Sequence, residues 1–196
     1  MRRKTFDALL TTSGLVLAII LAIGGGMMLW AHTFVANEVH DQLAAQKIYF
    51  PEAGTESLND PAVKPYLTKY AGQELVNGDQ AKAFADHYIA VHLNESTGGK
   101  TYSELSALSR AAPDDAKLSG QVNTAFKGET LRGMLLNAYA FGTMAKIALY
   151  GAIVAFVGAG VLLLLALLGA IHARRTDPEA AIGAIPVTRR DVVTVS

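Results

Sequence analysis

The sequence contains no cysteine, and its charged residues are scarce. The missing cysteine excludes disulfides, thiolate metal ligands and cysteine nucleophiles. Charged residues make up 17% of the 196 residues, against about 25% in an ordinary soluble domain. The sequence also lacks a basic tract or a basic–aromatic pattern of the kind that nucleic-acid binding needs. This composition favours a membrane protein with no nucleic-acid partner.

Two long stretches of the sequence carry no formal charge: residues 8–37 and residues 147–172. Each holds the ~20 apolar residues that a helix needs to cross a ~30 Å hydrocarbon layer. Buried core helices are the alternative, but two such runs in so short a chain would leave too little polar surface for solubility. We therefore predict transmembrane helices over residues 9–32 and 146–172.

The first run could instead be a cleaved signal peptide, because a basic segment precedes it. However, the apolar stretch is long for a signal peptide, and the only plausible cleavage site with small residues is the glycine triplet at 24–26. We therefore predict a retained membrane anchor.

Basic residues close to the spans predict the orientation of the chain. The residues that set the topology are Arg2, Arg3, Lys4, Arg174 and Arg175. Positive charge near the ends of spans stays in the cytoplasm. The N-terminal residues 1–8 and the tail 173–196 are therefore predicted to be cytoplasmic. Residues 33–145 would then form an extracytoplasmic domain of a multi-pass cell-membrane protein.

Small residues recur every four residues along both predicted spans. They are Gly14, Ala18, Ala22 and Gly26 in the first span, and Gly151, Ala155 and Ala159 in the second. Such stripes let helix backbones approach closely, which favours association in lipid. A composition rich in alanine and glycine can also produce the pattern by chance. If the stripes pack helices, they join the two spans of one chain or they join subunits, and the sequence leaves both open.

The region between the spans is predicted to be all-α: the two transmembrane helices continue into a small helical bundle. The first span continues as a helix over 33–48, and further helices open at Asp60, Asp79, the capping box Thr101-Tyr102-Ser103-Glu104, and Asp114 or Asp115. Gly98-Gly99 is predicted to end the helix over 79–95, and Gly128 is predicted to end the last of these helices.

Aromatic residues are expected to form the core of this bundle. They are Tyr66, Tyr70, Phe84, Tyr88, Phe126, Tyr139 and Phe141. A ligand cleft lined by the same residues is the alternative.

The sequence carries no recognisable catalytic motif, and we predict no catalytic, cofactor-binding or metal-binding residue and hence no enzyme. His87 and His92 are five residues apart, which places them about 140° apart around a helix rather than on one face. Neither uncharged run contains a Lys, Arg, Asp or Glu, so the sequence predicts no proton relay or ion site of the usual kind within the membrane. The rival interpretation is an extracytoplasmic metal-dependent enzyme or sensor built on His40, His87 and His92.

Several short segments carry a family resemblance: HDQLAAQKIYFP at 40–51, YAGQ at 70–73, AVHL at 90–93, GKTY at 99–102, GETLRG at 128–133 and LNAY at 136–139. With these segments the chain resembles an uncharacterised family of actinobacterial two-span membrane proteins, whose members are often labelled aromatic ring-opening dioxygenases. The resemblance covers nearly the whole chain up to Arg175 and implies topology and cellular setting, but no catalytic residues. A non-haem iron oxygenase needs two histidines and a carboxylate on one face of the metal, and no residues are spaced to suggest such a site.

These observations predict a non-catalytic integral membrane protein whose exported domain mediates self-assembly into a homo-oligomer, or serves as an accessory or scaffold subunit of a cell-envelope membrane complex. Its expected partners are the lipid bilayer, further copies of itself and a larger membrane complex. An oligomeric pore is an alternative, gated by a hydrophobic constriction because the spans lack charge.

Overall fold

The computed structural model describes residues 3–175, with side chains from residue 5 onward. Its elements are α1 (Arg3–Ala45), α2 (Glu56–Asn59), α3 (Lys64–Leu67), a 3-10 turn (Thr68–Tyr70), α4 (Gly78–Phe84), a π-helical segment (Ala85–Ile89), α5 (Ala90–Thr97), α6 (Tyr102–Ala111) and α7 (Ala116–Arg175). These residues form no β-strand, and one isolated bridge joins Tyr49 to Glu74. The prediction of an all-α fold with two long apolar helices is confirmed. Arg2 and most of the predicted tail lie outside the described residues.

The chain divides into two compact units. The first, which we call the hairpin unit, contains residues up to Met27 and from Gly151 onward. The second, which we call the helical domain, contains residues 28–150. Helices α1 and α7 each contribute residues to both units.

Helices α1 and α7 are long and apolar enough to cross a membrane. Their most apolar 18-residue windows have mean hydropathies of 2.2 and 2.7, and only 11% and 17% of these windows is buried. A core helix of a soluble protein would bury most of such a window, because large apolar side chains are seldom left in contact with water over so long a stretch. The low burial therefore favours lipid as the environment of both windows.

Small residues bring the two helices of the hairpin unit together. A Cβ built on Gly14 lies 3.9 Å from the Cβ of Ala166, and one built on Gly25 lies 3.3 Å from the Cβ of Ala155. These pairs run in opposite directions along the two helices, so the helices are antiparallel. On α7 the buried residues Ala152, Ala159 and Ala166 recur every seven residues, the repeat of a left-handed coiled-coil seam.

The seam accounts for part of the predicted stripe of small residues. Gly14, Ala18, Ala155 and Ala159 lie on or beside it, and Gly151 is half-buried. In contrast, Ala22 and Gly26 are exposed in the hairpin unit, and no atom lies within 4 Å of a Cβ built on Gly26. Four-residue steps drift by about 40° per step around a helix, whereas alternating steps of three and four stay on one face. The seam on α1 therefore passes through Leu21 and Gly25 in place of Ala22 and Gly26.

The core of the helical domain is mainly aliphatic. Its largest fully buried side chains are Val63, Leu67, Leu75 and Leu105. The prediction of an aromatic core is wrong for Tyr66, Phe126 and Phe141, which are 48%, 55% and 54% exposed. Among the other predicted aromatics, Phe84 is buried, and Tyr70 and Tyr88 pack against the core. The core lies where α1 and α7 face the short elements α2–α5, so Phe141 remains outside because it lies on another face of α7.

The helix ends follow the predicted capping chemistry in two places. Thr101 and Glu104 form the predicted capping box at the start of α6, and Gly98 ends α5 in the left-handed conformation, with φ +62°. Other predicted boundaries shift. Helix α1 ends at Ala45, and the helix predicted to open at Asp60 begins at Lys64, because Asp60 caps the end of α2. Helix α4 begins at Gly78 behind the N-cap Asn77, whose side chain accepts a hydrogen bond from the Gln80 backbone N–H.

The prediction that Gly128 ends a helix is wrong. Gly128 lies inside α7, where a Cβ would come within 2.7 Å of Leu93 Cδ1. The glycine provides space for the α5 side chain against α7. The four residues after Gly128 include no proline and no second glycine, so nothing stops the helix there.

A glycine pair brings the start of α4 against α7. A Cβ on Gly78 would lie 3.0 Å from the Cα of Tyr139 and 3.1 Å from the carbonyl oxygen of Ala138, and a Cβ on Gly142 would lie 3.3 Å from the Cα of Gly78. Backbone atoms make this contact, so no side-chain rotation relieves a larger residue here. The contact places Asp79 beside Lys146, whose Nζ lies 2.5 Å from Asp79 Oδ2.

A disulfide introduced across the seam tests the packing of the hairpin unit. The Cβ separation of 3.9 Å between positions 14 and 166 lies close to the ~3.8 Å mean for disulfides, and the chain has no native cysteine to compete. We expect the Gly14→Cys, Ala166→Cys protein to cross-link within one chain under mild oxidation, as seen by its mobility in denaturing electrophoresis. The control pair is Val16→Cys, Ala166→Cys, in which position 16 is exposed. This pair should not form the cross-link. A cross-linked dimer from the first pair would contradict the intramolecular seam.

Gly78→Ala should destabilise the helical domain, because the new methyl group meets the α7 backbone. We expect a loss of about 1–3 kcal/mol, typical of overpacking, measured by thermal unfolding of the full chain in mild detergent. The matched variant is Gly133→Ala, where no atom lies within 4 Å of the new Cβ. It should leave stability unchanged or raise it by up to about 1 kcal/mol through helix propensity. Equal midpoints for the two variants would show that the glycine contact is unimportant.

Candidate functional site

The histidines of the helical domain contact separate neighbours instead of each other. His32 Nδ1 donates to the carbonyl oxygen of Ala145, His40 pairs with Asp41, His87 stacks on Tyr66 with ring centroids 3.5 Å apart, and His92 Nδ1 donates to the carbonyl oxygen of Tyr88. Within residues 3–175 no group of three or more His, Asp or Glu side chains could hold a metal ion. The rival metal centre on His40, His87 and His92 therefore gains no support from the geometry.

The π-helical segment carries an ion-pair network. Asp86 accepts hydrogen bonds from Lys82, at 2.6 Å, and from Arg132, at 2.9 Å. The bond from Lys82, aided by that from Arg132, lowers the pKa of Asp86 although partial burial opposes the shift. π-Helical turns are frequent at functional sites, but Asp86 here joins the π-helical segment to α7. Sequence reasoning missed this segment because no local pattern marks a single wide turn.

An apolar groove lies between α1 and α7 in the helical domain. Its volume is about 490 Å³, and it is lined by Phe34, Val35, Glu38, Val39, Gln42, Leu43, Gln46, Met134, Leu135, Asn137, Ala138 and Phe141. The volume lies within the ~300–1,000 Å³ typical of small-molecule sites, which are mostly apolar and carry a few polar groups. We take this groove as the candidate functional site.

The groove has a buried floor and an exposed rim. Leu43 and Leu135 belong to the core and form the floor. Phe34, Met134 and Phe141 are between 53% and 61% exposed and form the apolar part of the rim. These three side chains remain largely exposed to solvent in the isolated chain, so a partner that buried them would gain binding free energy.

The polar rim of the groove comes largely from one row of residues on α1 and the turn that follows it. Glu38, Gln42 and Gln46 follow each other at four-residue spacing and are exposed. Gln42 Nε2 donates to Glu38 Oε2 at 3.1 Å, which holds the carboxylate at the rim. The sequence contains the apolar rim residues Phe34, Met134 and Phe141 but does not show that they are exposed. Their exposure depends on which faces of α1 and α7 the short helices cover.

The stability of the helical domain should fall at low pH through Asp86. Because hydrogen bonding lowers the pKa of Asp86 in the folded state, these bonds stabilise the fold at neutral pH, and the stabilisation is lost as the pH falls below about 4. Asp86→Asn should lower the thermal midpoint at pH 7 and reduce the loss between pH 5 and pH 3.

Both proteins should keep the pH dependence that comes from Glu104, whose pKa is lowered by the hydrogen bond from the Thr101 backbone N–H. The measurement is thermal unfolding followed by circular dichroism. Identical pH profiles for the wild type and Asp86→Asn would show that the Asp86 network does not stabilise the domain.

The comparisons with known proteins supply no relative: no protein-family model, no curated protein and no solved structure matches the chain. The resemblance to actinobacterial two-span proteins therefore stays a prediction from the sequence. One fold can carry many functions, so the chemistry of the chain's own surfaces has to indicate what the protein does.

Proposed function

We propose that the chain is a non-catalytic integral membrane protein whose helical domain lies outside the cytoplasm and acts as a binding module, as an accessory or scaffold subunit does. The groove between α1 and α7 is its binding site. The proposal rests on one observation: the apolar groove has a volume of about 490 Å³, a buried floor and an exposed apolar rim. A recess of this kind is the default binding site of a domain.

The placement of charged groups supports binding rather than catalysis. Asp86 is held by Lys82 and Arg132, and Asp79 by Lys146. Each pair joins α4 or the π-helical segment to its surroundings, as structural ion pairs do. The groove itself carries one carboxylate, Glu38, among apolar and amide side chains, so its lining offers no acid–base pair.

The hairpin unit supports an anchoring role. Gly14 and Gly25 contact α7 of the same chain, so these small residues are used in joining the two helices. Self-assembly through the predicted stripes would have to use the exposed remainder, such as Ala22 and Gly26. The helical domain therefore offers a better-formed binding surface than the spans.

Occupancy of the groove can be measured with two cysteine variants. Gln42→Cys lies on the rim of the groove, whereas Asp41→Cys, the matched control, lies outside the groove lining on an exposed side chain. In membranes that contain the full chain, we expect Gln42→Cys to react with a maleimide several-fold more slowly than Asp41→Cys, because a bound partner covers it.

Detergent that removes the partner should bring the two rates together. Equal rates in the native membrane, unchanged by detergent, would show that the groove is empty and would refute the binding-module proposal.

A further inference from the structure

We propose that the groove binds the hydrocarbon chain of a membrane lipid whose head group is uncharged or cationic. This inference rests on the proposed function, because it names the occupant of the same groove. Three properties of the groove carry it: its size and apolar lining, the sign of its single charge, and its position directly after the first predicted span.

The groove has the size and lining of a site for a small apolar ligand. Its volume of about 490 Å³ lies within the ~300–1,000 Å³ of small-molecule sites, which are mostly apolar and carry a few polar groups. Its lining runs along α1 from Phe34 to the turn at Gln46, so an elongated apolar ligand such as a single hydrocarbon chain can lie along it.

The charge of the groove selects the head group. Glu38 is the one formal charge among the described residues that line the groove, and Lys, Arg and His are absent from that lining. An anionic head group would therefore meet an uncompensated negative charge. An ammonium group would be attracted to Glu38, and a hydroxyl group could donate to it or bond to the amides of Gln46 and Asn137.

The groove begins where the first predicted span ends. Phe34 and Val35 lie within three residues of the end of the span 9–32 and belong to the uncharged run 8–37. Trp30 stacks on Phe34 with ring centroids 5.6 Å apart, and tryptophan side chains favour the level of the lipid head groups. A lipid chain could therefore enter the groove sideways from the outer leaflet without crossing water.

Photo-crosslinking of the full chain in phosphatidylcholine vesicles tests the inference. The probes are three single-chain amphiphiles of equal chain length with a diazirine in the chain: a monoacylglycerol, an alkyltrimethylammonium and an alkylsulfonate. We expect the uncharged probe to label peptides containing residues 34–46 or 134–141 roughly five-fold more than the sulfonate, because it avoids one repulsion between like charges at close range. The cationic probe should label them more strongly still, because Glu38 attracts it.

Two pairs of variants locate the effect. Ala138→Phe fills the groove and should remove the labelling, whereas Ala140→Phe, on the exposed side of α7 and outside the lining, should retain it. Glu38→Gln should raise sulfonate labelling to the level of the monoacylglycerol without disturbing the packing, because Glu38 is exposed. Asp41→Asn, which lies outside the lining, should leave sulfonate labelling low.

Equal labelling by all three probes, or labelling that Ala138→Phe leaves intact, would overturn the inference, since bulk lipid alone would explain it. If Gln42→Cys is protected in native membranes but no probe labels the groove, the occupant is a second copy or another protein, so the lipid inference fails while the binding module stands. If Gln42→Cys is unprotected as well, both fail.

Discussion

Close backbone approach at small residues is the interaction on which the rest of the structure depends. Apolar helices gain nothing from hydrophobic burial in lipid, so their association relies on packing at short range. In the hairpin unit, Gly14 and Gly25 provide that contact against α7. In the helical domain, Gly78 and Gly142 bring two backbones together, and the ion pair between Asp79 and Lys146 follows from this contact.

The glycine contact in the helical domain also decides where the groove lies. Because Gly78 brings α4 to α7, the short elements α2–α5 cover the buried core around Leu67 and Leu75. They leave a different face of the α1–α7 pair uncovered, and there Phe34 and Phe141 are half exposed. The proposed binding function thus arises from an asymmetry: one face of two long helices is covered by the chain's own short helices, and another is left for a partner.

The sequence was sufficient for features that depend on local chemistry or on long averages. The two uncharged runs predict the long apolar helices because composition over twenty residues suffices, and the Thr101–Glu104 capping box forms because its two hydrogen bonds are local.

Features that depend on distant contacts escaped prediction. Gly128 serves as space for Leu93, which lies thirty-five residues earlier in the sequence. The seam follows a seven-residue repeat rather than a four-residue one because two helices must stay in contact over many turns. The groove could not be foreseen, since the exposure of Phe141 depends on where α2–α5 pack.

The central proposal is that the uncharged runs of α1 and α7 anchor the chain in a membrane with the helical domain on the outer side. The most direct measurement is the reaction of Ser103→Cys, an exposed position on α6, with a membrane-impermeant maleimide in intact cells. The account predicts full reaction in intact cells, with no increase after the cells are opened. Reaction only after opening would place the helical domain in the cytoplasm and contradict the account.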